Sequence, residues 1–143
     1  MKRFAFLFLL PLLCSGVARA AEDAATAAQE RGRLLVRQNE LAQRLAGMYM
    51  VRGMTAGAGV GWDDLVLTRA AMTDNLSALR SSFDSDPAAG AVLDRLATQA
   101  DWLAAAIDGD SVGSYALLVA DAAAGVHAET QLLSVLGQGH GGS

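Results

Sequence analysis

Apolar residues recur along this chain at alternating intervals of three and four, a spacing that predicts helices and leaves no strand-like alternation. The first helix is expected from about Ala24 to Met54, with Leu34, Gln38, Leu41, Leu45 and Met48 on one stripe. Three glycines between Thr55 and Gly61 break it, because glycine opposes helix. The second helix is expected from Asp63 to Phe83, carrying Leu65, Arg69, Met72, Leu76, Leu79 and Phe83. Asp86 then stands at N-cap and Pro87 at the first helical position of a third helix, with Leu93, Leu96, Ala100, Leu103 and Ile107 inward. After the turn at Asp108–Ser111, a fourth helix takes Tyr115, Leu118, Ala122, Val126, Leu132 and Leu136. Residues 137–143, mostly glycine, are expected to form a disordered tail.

Short loops make consecutive helices antiparallel. The expected fold is therefore all-α, an up-down-up-down four-helix bundle over residues 21–136. The alternating spacing suits left-handed, near-parallel packing. The Ala-rich start of the first helix, Glu22 to Arg31, has little pattern and is expected to project beyond the bundle.

The first twenty residues change the picture. Lys2 and Arg3 form a basic start, Phe4 to Leu13 an apolar run, and Ala18-Arg19-Ala20 a small-x-small cleavage motif. This reads as a secretory signal peptide cut after Ala20, giving a periplasmic or secreted product. Leu13 before Cys14 does not suit a lipoprotein signal, which wants a small residue there. With Lys2, Arg3 and Arg19 removed, eight arginines face fifteen acids, a net charge of −7. That balance disfavours nucleic acid and anionic membrane surfaces. Cys14 leaves with the leader, so no thiol chemistry is expected in the mature chain.

Most chemistry fails on this frame. Covalent haem would need Cys-x-x-Cys-His, and Met48 and His127 fall at different levels of the bundle for non-covalent haem. His140 is stranded in the tail, and no acid or histidine pair has metal-ligand spacing. Met48, Met50, Met54 and Met72 gather near the first loop, but core filling explains them better than copper ligation. Nothing arranges serine, histidine and acid as a triad, so neither enzymatic activity nor a cofactor is expected.

The polar residues of the first helix are more informative. Arg37-Gln-Asn-Glu-Leu-Ala-Gln-Arg44, continuing to Met50, sets charged and amide groups inside an apolar pattern, where burial is costly unless they are paired. Arg69 lies between Leu65 and Met72 on the second stripe, and Glu129 interrupts the fourth. The proposed topology would put Glu129 near the level of Arg33 to Arg37. Ion pairs, or arginine stems lying along the seam, are one reading of these residues. The other is that Arg37, Gln43 and Arg44 offer unmatched donors to an anion, within one chain or across a dimer.

Arg37-Gln38-x-x-Leu41-x-Gln43-Arg44-x-Ala46, followed by Tyr49, resembles the Arg-Gln-Arg-Met-Leu-Ser-Gln-Arg motif of the type IV pilus methyl-accepting chemotaxis-transducer N-terminal (PilJ-type) domain. That family is related to the periplasmic sensor of nitrate/nitrite-responsive histidine kinases. The resemblance covers Arg37 to Met50 and implies a four-helix periplasmic sensor with its motif on the first helix. It implies ligand contacts at Arg37, Gln38, Gln43 and Arg44, with Asn39 in support; Arg69 and Glu129 are supporting candidates from their places on the helix stripes. The motif's second arginine, which helps hold the anion at the dimer interface in nitrate sensors, falls on Asn39 here; its methionine and serine fall on Glu40 and Ala42.

Two functions from different classes follow. The first is an exported sensor-like module binding a small anion, as a homodimer and with a membrane-bound or periplasmic signalling partner. The second is a helical interaction protein that offers Arg37, Glu40 and Arg44 to a partner helix with no small ligand.

Overall fold

The computed structural model describes residues 10–54, 61–84, 86–108 and 115–139, and among them every regular element is a helix. These are α1 (Leu10–Met54), α2 (Trp62–Ser82), α3 (Pro87–Asp108) and α4 (Ala116–Gly139). The four form a bundle, in which α1 packs on α2 and α4, and α3 packs most extensively on α4.

Helix limits follow local chemistry. The Asp86 carboxylate accepts hydrogen bonds from the backbone N–H of Ala88 at 2.9 Å and of Ala89 at 3.2 Å, so it caps α3 ahead of Pro87 as expected. At the start of α2, Gly61 makes no side-chain cap. Asp63 and Asp64 in the first turn instead set negative charge against the positive helix end. Two boundaries differ from expectation. α1 is helical from Leu10, well before Ala24, because the alanine-rich run contains nothing that stops a helix. α4 runs on to Gly139, so residues 137–139, expected in the tail, are helical; 140–143 lie outside the described residues. Residues 1–9 of the expected leader and 55–60 of the glycine loop also lie outside them.

Contacts between helices run in opposite senses. Arg31 lies over the Phe83 ring at 5.3 Å from its centroid, while Asn75, higher on α2's N-terminal side, meets Leu34 and Gln38 further along α1. Between α1 and α4, Asn39 faces His127 and the later Tyr49 meets the earlier Tyr115. Between α2 and α3, Arg69 pairs with Asp108 and Arg80 with Asp94.

The core is built from leucine and small apolar residues. Leu45, Leu79, Leu96, Leu103, Val119, Val126 and Leu133 are fully buried, each contributing about 1.5–3 kcal/mol relative to exposure. All five residues expected inside α3 are buried. The other helices turn slightly from the expected stripe. On α1 the buried line is Leu35, Gln38, Ala42, Leu45 and Tyr49, while Leu34, Leu41 and Met48 sit at its edge. On α2 it is Leu65, Thr68, Met72, Asn75 and Leu79, with Leu76 at the edge. On α4, Leu132 is exposed and Leu133 buried, because a step of six from Val126 leaves the helical repeat whereas a step of seven keeps it.

Gly32 and Gly47 of α1 have open space where a Cβ would stand, but Gly125 of α4 does not. A Cβ there would lie 2.6 Å from the Gln99 side chain of α3, so the missing side chain leaves room for Gln99 to lie against α4.

Candidate functional site on the first helix

The motif of α1 splits across two faces of the helix. Arg37, Gln43 and Arg44 are exposed on the outer face, away from the line that packs on α2 and α4. Gln38 is fully buried. Its Oε1 accepts a hydrogen bond from Asn75 Nδ2 at 2.8 Å, and the same amide donates to the Leu34 carbonyl at 2.9 Å. Gln38 therefore belongs to the α1–α2 seam and does not stand beside Arg37 and Arg44. One residue of helix turns a side chain by about 100°, which is enough to separate neighbours in sequence between core and solvent.

The three supporting candidates are likewise engaged elsewhere. Asn39 Oδ1 lies 3.2 Å from His127 Nδ1 on α4. Arg69, expected on the α2 stripe, is half-exposed and paired with Asp108 at the end of α3; Thr68 takes the buried position. Glu129 does not approach Arg33 or Arg37. Its carboxylate accepts two hydrogen bonds from Arg95 of α3, from Nε at 2.9 Å and Nη2 at 3.0 Å. That fork holds the Arg95 guanidinium above its ordinary pKa, the side-chain hydrogen bond from Glu129 being the chief cause. For Arg69 and Glu129 the ion-pair reading is the one realised.

What remains is a shallow groove along the outer face of α1 from Gln29 to Arg44, floored at one point by Gly32 and Val36. Among the described residues, neither Arg37 nor Arg44 has an ion-pair partner, and Val36 beside them is 59% exposed. Arg33 reaches Glu30 at only 3.8 Å, between two exposed side chains, a contact of little energetic weight. Glu40 is the acid interleaved with these arginines. The face is thus locally basic on an acidic chain, and it combines guanidinium donors with exposed apolar surface.

Helix geometry sets the spacing of the two unmatched charges. Arg37 and Arg44 stand two turns apart, about 10.5 Å along the axis at 1.5 Å per residue. Arginine side chains are long enough for the two heads to converge on one anion between them, or for each to meet a separate acidic group of a partner.

Sequence reasoning missed Arg33 and Val36 as parts of this face, and Asn75 as the partner of Gln38. The signal for Asn75 was present: Leu65, Thr68, Met72, Asn75 and Leu79 keep a strict three-four alternation. Among the described residues, no group of three His, Cys, Asp or Glu is placed to hold a metal ion, and no helix is long and apolar enough to cross a membrane. Compared with family models, with curated proteins and with solved structures, the chain matches none.

Proposed function

We propose that the chain is an exported, non-enzymatic, sensor-like helical module, an up-down-up-down bundle over residues 21–136 behind a cleavable leader, which meets its ligand on the outer face of α1. The observation carrying this reading is that, among the described residues, Arg37 and Arg44 have no ion-pair partner while Arg69, Arg80 and Arg95 are each matched to an acid. Unmatched guanidinium groups on one face are suited to an anion or to acidic groups of a partner. The resemblance of Arg37–Met50 to pilus-transducer and nitrate-sensor domains supports the same assignment. In this reading, as in the nitrate sensors it resembles, a second copy completes the site, with a small anion held between α1 helices.

A second reading has its own support. Val36 and the groove beside it offer apolar contact area that a small anion would not use. A partner helix laid along α1 would use both that area and the charges, with no small ligand at all.

Thermal melting of the mature chain against nitrate, sulfate, phosphate and acetate, at ionic strength matched with chloride, separates the two. A ligand of the native state raises the midpoint progressively, by about 2.7 kcal/mol of stability at one hundred times its dissociation constant. Sedimentation in the same solutions is expected to show a dimer. No midpoint shift with any anion, together with a monomer at all concentrations, would remove the sensor reading and leave the partner helix.

A further inference from the structure

Away from α1, the end of α3 and the beginning of α4 enclose a groove of about 370 Å³ lined by Trp102, Ala105, Ala106, Tyr115, Leu118 and Asp101. That volume is at the small end of the range for ligand pockets. Its composition is unusual for this chain. Aromatic residues are few, yet an indole 55% exposed and a phenol 39% exposed stand here on either side of an alanine floor. Ala105 and Ala106 follow Trp102 by one turn on α3, and Tyr115 and Leu118 are one turn apart across from them, so small side chains line the groove together with the two aromatic residues.

Among the described residues that line the groove, the one charged group is an acid, Asp101. Asp101 is exposed and, among the described residues, has no ion-pair partner. Arg95, the one basic residue of α3, is already held by Glu129, and α4 contains no arginine or lysine. The last turn of α3 carries no basic residue, and the guanidinium that reaches its end, Arg69 of α2, is held by Asp108. Aromatic rings and a lone carboxylate each attract a cation, and the apolar floor favours one with an alkyl periphery.

We propose that this groove binds a small alkylated ammonium cation, flanked by Trp102 and Tyr115 and neutralised by the Asp101 carboxylate. The site is separate from the α1 face, and its success or failure is independent of the function proposed above. Aromatic groups supply the contact area and some of the selectivity, while Asp101 supplies the preference for charge over shape.

The test uses the mature chain and choline as probe, with 3,3-dimethylbutan-1-ol as its neutral isostere. Binding is followed by the indole N–H resonance of Trp102, identified by its loss in Trp102→Phe. Choline is expected to shift that resonance saturably, and the neutral isostere to bind about tenfold more weakly. Asp101→Asn is expected to weaken choline by about fivefold and leave the isostere unchanged, with an unaltered melting curve. Equal affinity for the two probes, or an Asp101→Asn chain that binds choline as before, overturns the proposal. So does sedimentation in which Trp102→Ala abolishes self-association while choline gives no shift, since a second copy would then be what covers the groove.

Discussion

Asn75 Nδ2 donates at 2.8 Å to Gln38 Oε1 across the seam between α1 and α2, and both residues are almost completely removed from solvent. The pair is satisfied on one side alone. Gln38 Nε2 and Asn75 Oδ1 are buried without a hydrogen-bond partner. A buried polar pair of this kind adds little net stability, but it penalises any sliding of α1 against α2 that would part the two amides.

The pair should therefore behave as a unit. Asn75→Leu or Gln38→Leu alone strands the remaining amide and is expected to cost about 1–3 kcal/mol. Replacing both with leucine should recover part of that loss, giving a coupling energy of about 0.5–3 kcal/mol in a double-mutant cycle. Equilibrium urea unfolding of the four proteins measures it. Strict additivity would show that the two amides do not interact in solution.

Arg44 tests the α1 face. Exposed and without an ion-pair partner, it has little to lose in the unliganded protein, so Arg44→Ala should change stability by no more than about 0.5 kcal/mol. The same change should abolish any rise in melting midpoint caused by an anion. An intact anion response in Arg44→Ala would place the ligand elsewhere.

The arginines that have partners should differ among themselves. Glu129 is 14% exposed and receives a forked pair of hydrogen bonds from Arg95, whereas Asp94, the partner of Arg80, is 79% exposed and receives a single one. Arg95→Ala is expected to lower the melting temperature more than Arg80→Ala, because it leaves a half-enclosed carboxylate unpaired. A guanidinium whose pKa is raised by folding contributes fully below its unfolded value and loses that contribution only as pH rises through the folded one. Deprotonation of Arg95 should thus add no pH dependence near neutrality. A smaller effect at Arg95 than at Arg80 in calorimetry would contradict the assignment.

Gly125 offers a packing test. Alanine in a helix interior is favoured over glycine by about 1 kcal/mol, yet here the new methyl group would meet Gln99. In a Gln99→Ala background, Gly125→Ala should stabilise the protein by about 0.5–1 kcal/mol. With Gln99 in place the gain should be smaller, since that side chain must swing away. Equal gains in the two backgrounds, read from unfolding midpoints, would mean that Gln99 does not lie over Gly125.

Periodicity and breakers determined that there are four helices, roughly where they stop, and how α3 is capped and buried; these properties depend on residues within a turn or two of each other. Arg37 and Arg44 were also legible as polar positions on α1. Which of two adjacent lines of a helix meets its neighbour was not. Leu133 over Leu132 follows from the repeat counted from Val126, but Leu35 or Leu34, and Thr68 or Arg69, are each compatible with a helical stripe, and only the position of the facing helix chooses between them. The same holds for the charges. Gln38 went inward because Asn75 stands opposite, Glu129 met Arg95 because α3 rather than α1 flanks it there, and Arg69 found Asp108. A long polar side chain can serve a core, an ion pair or a ligand equally well by its own chemistry; the partner that decides is dozens of residues away in the chain and becomes adjacent only on packing.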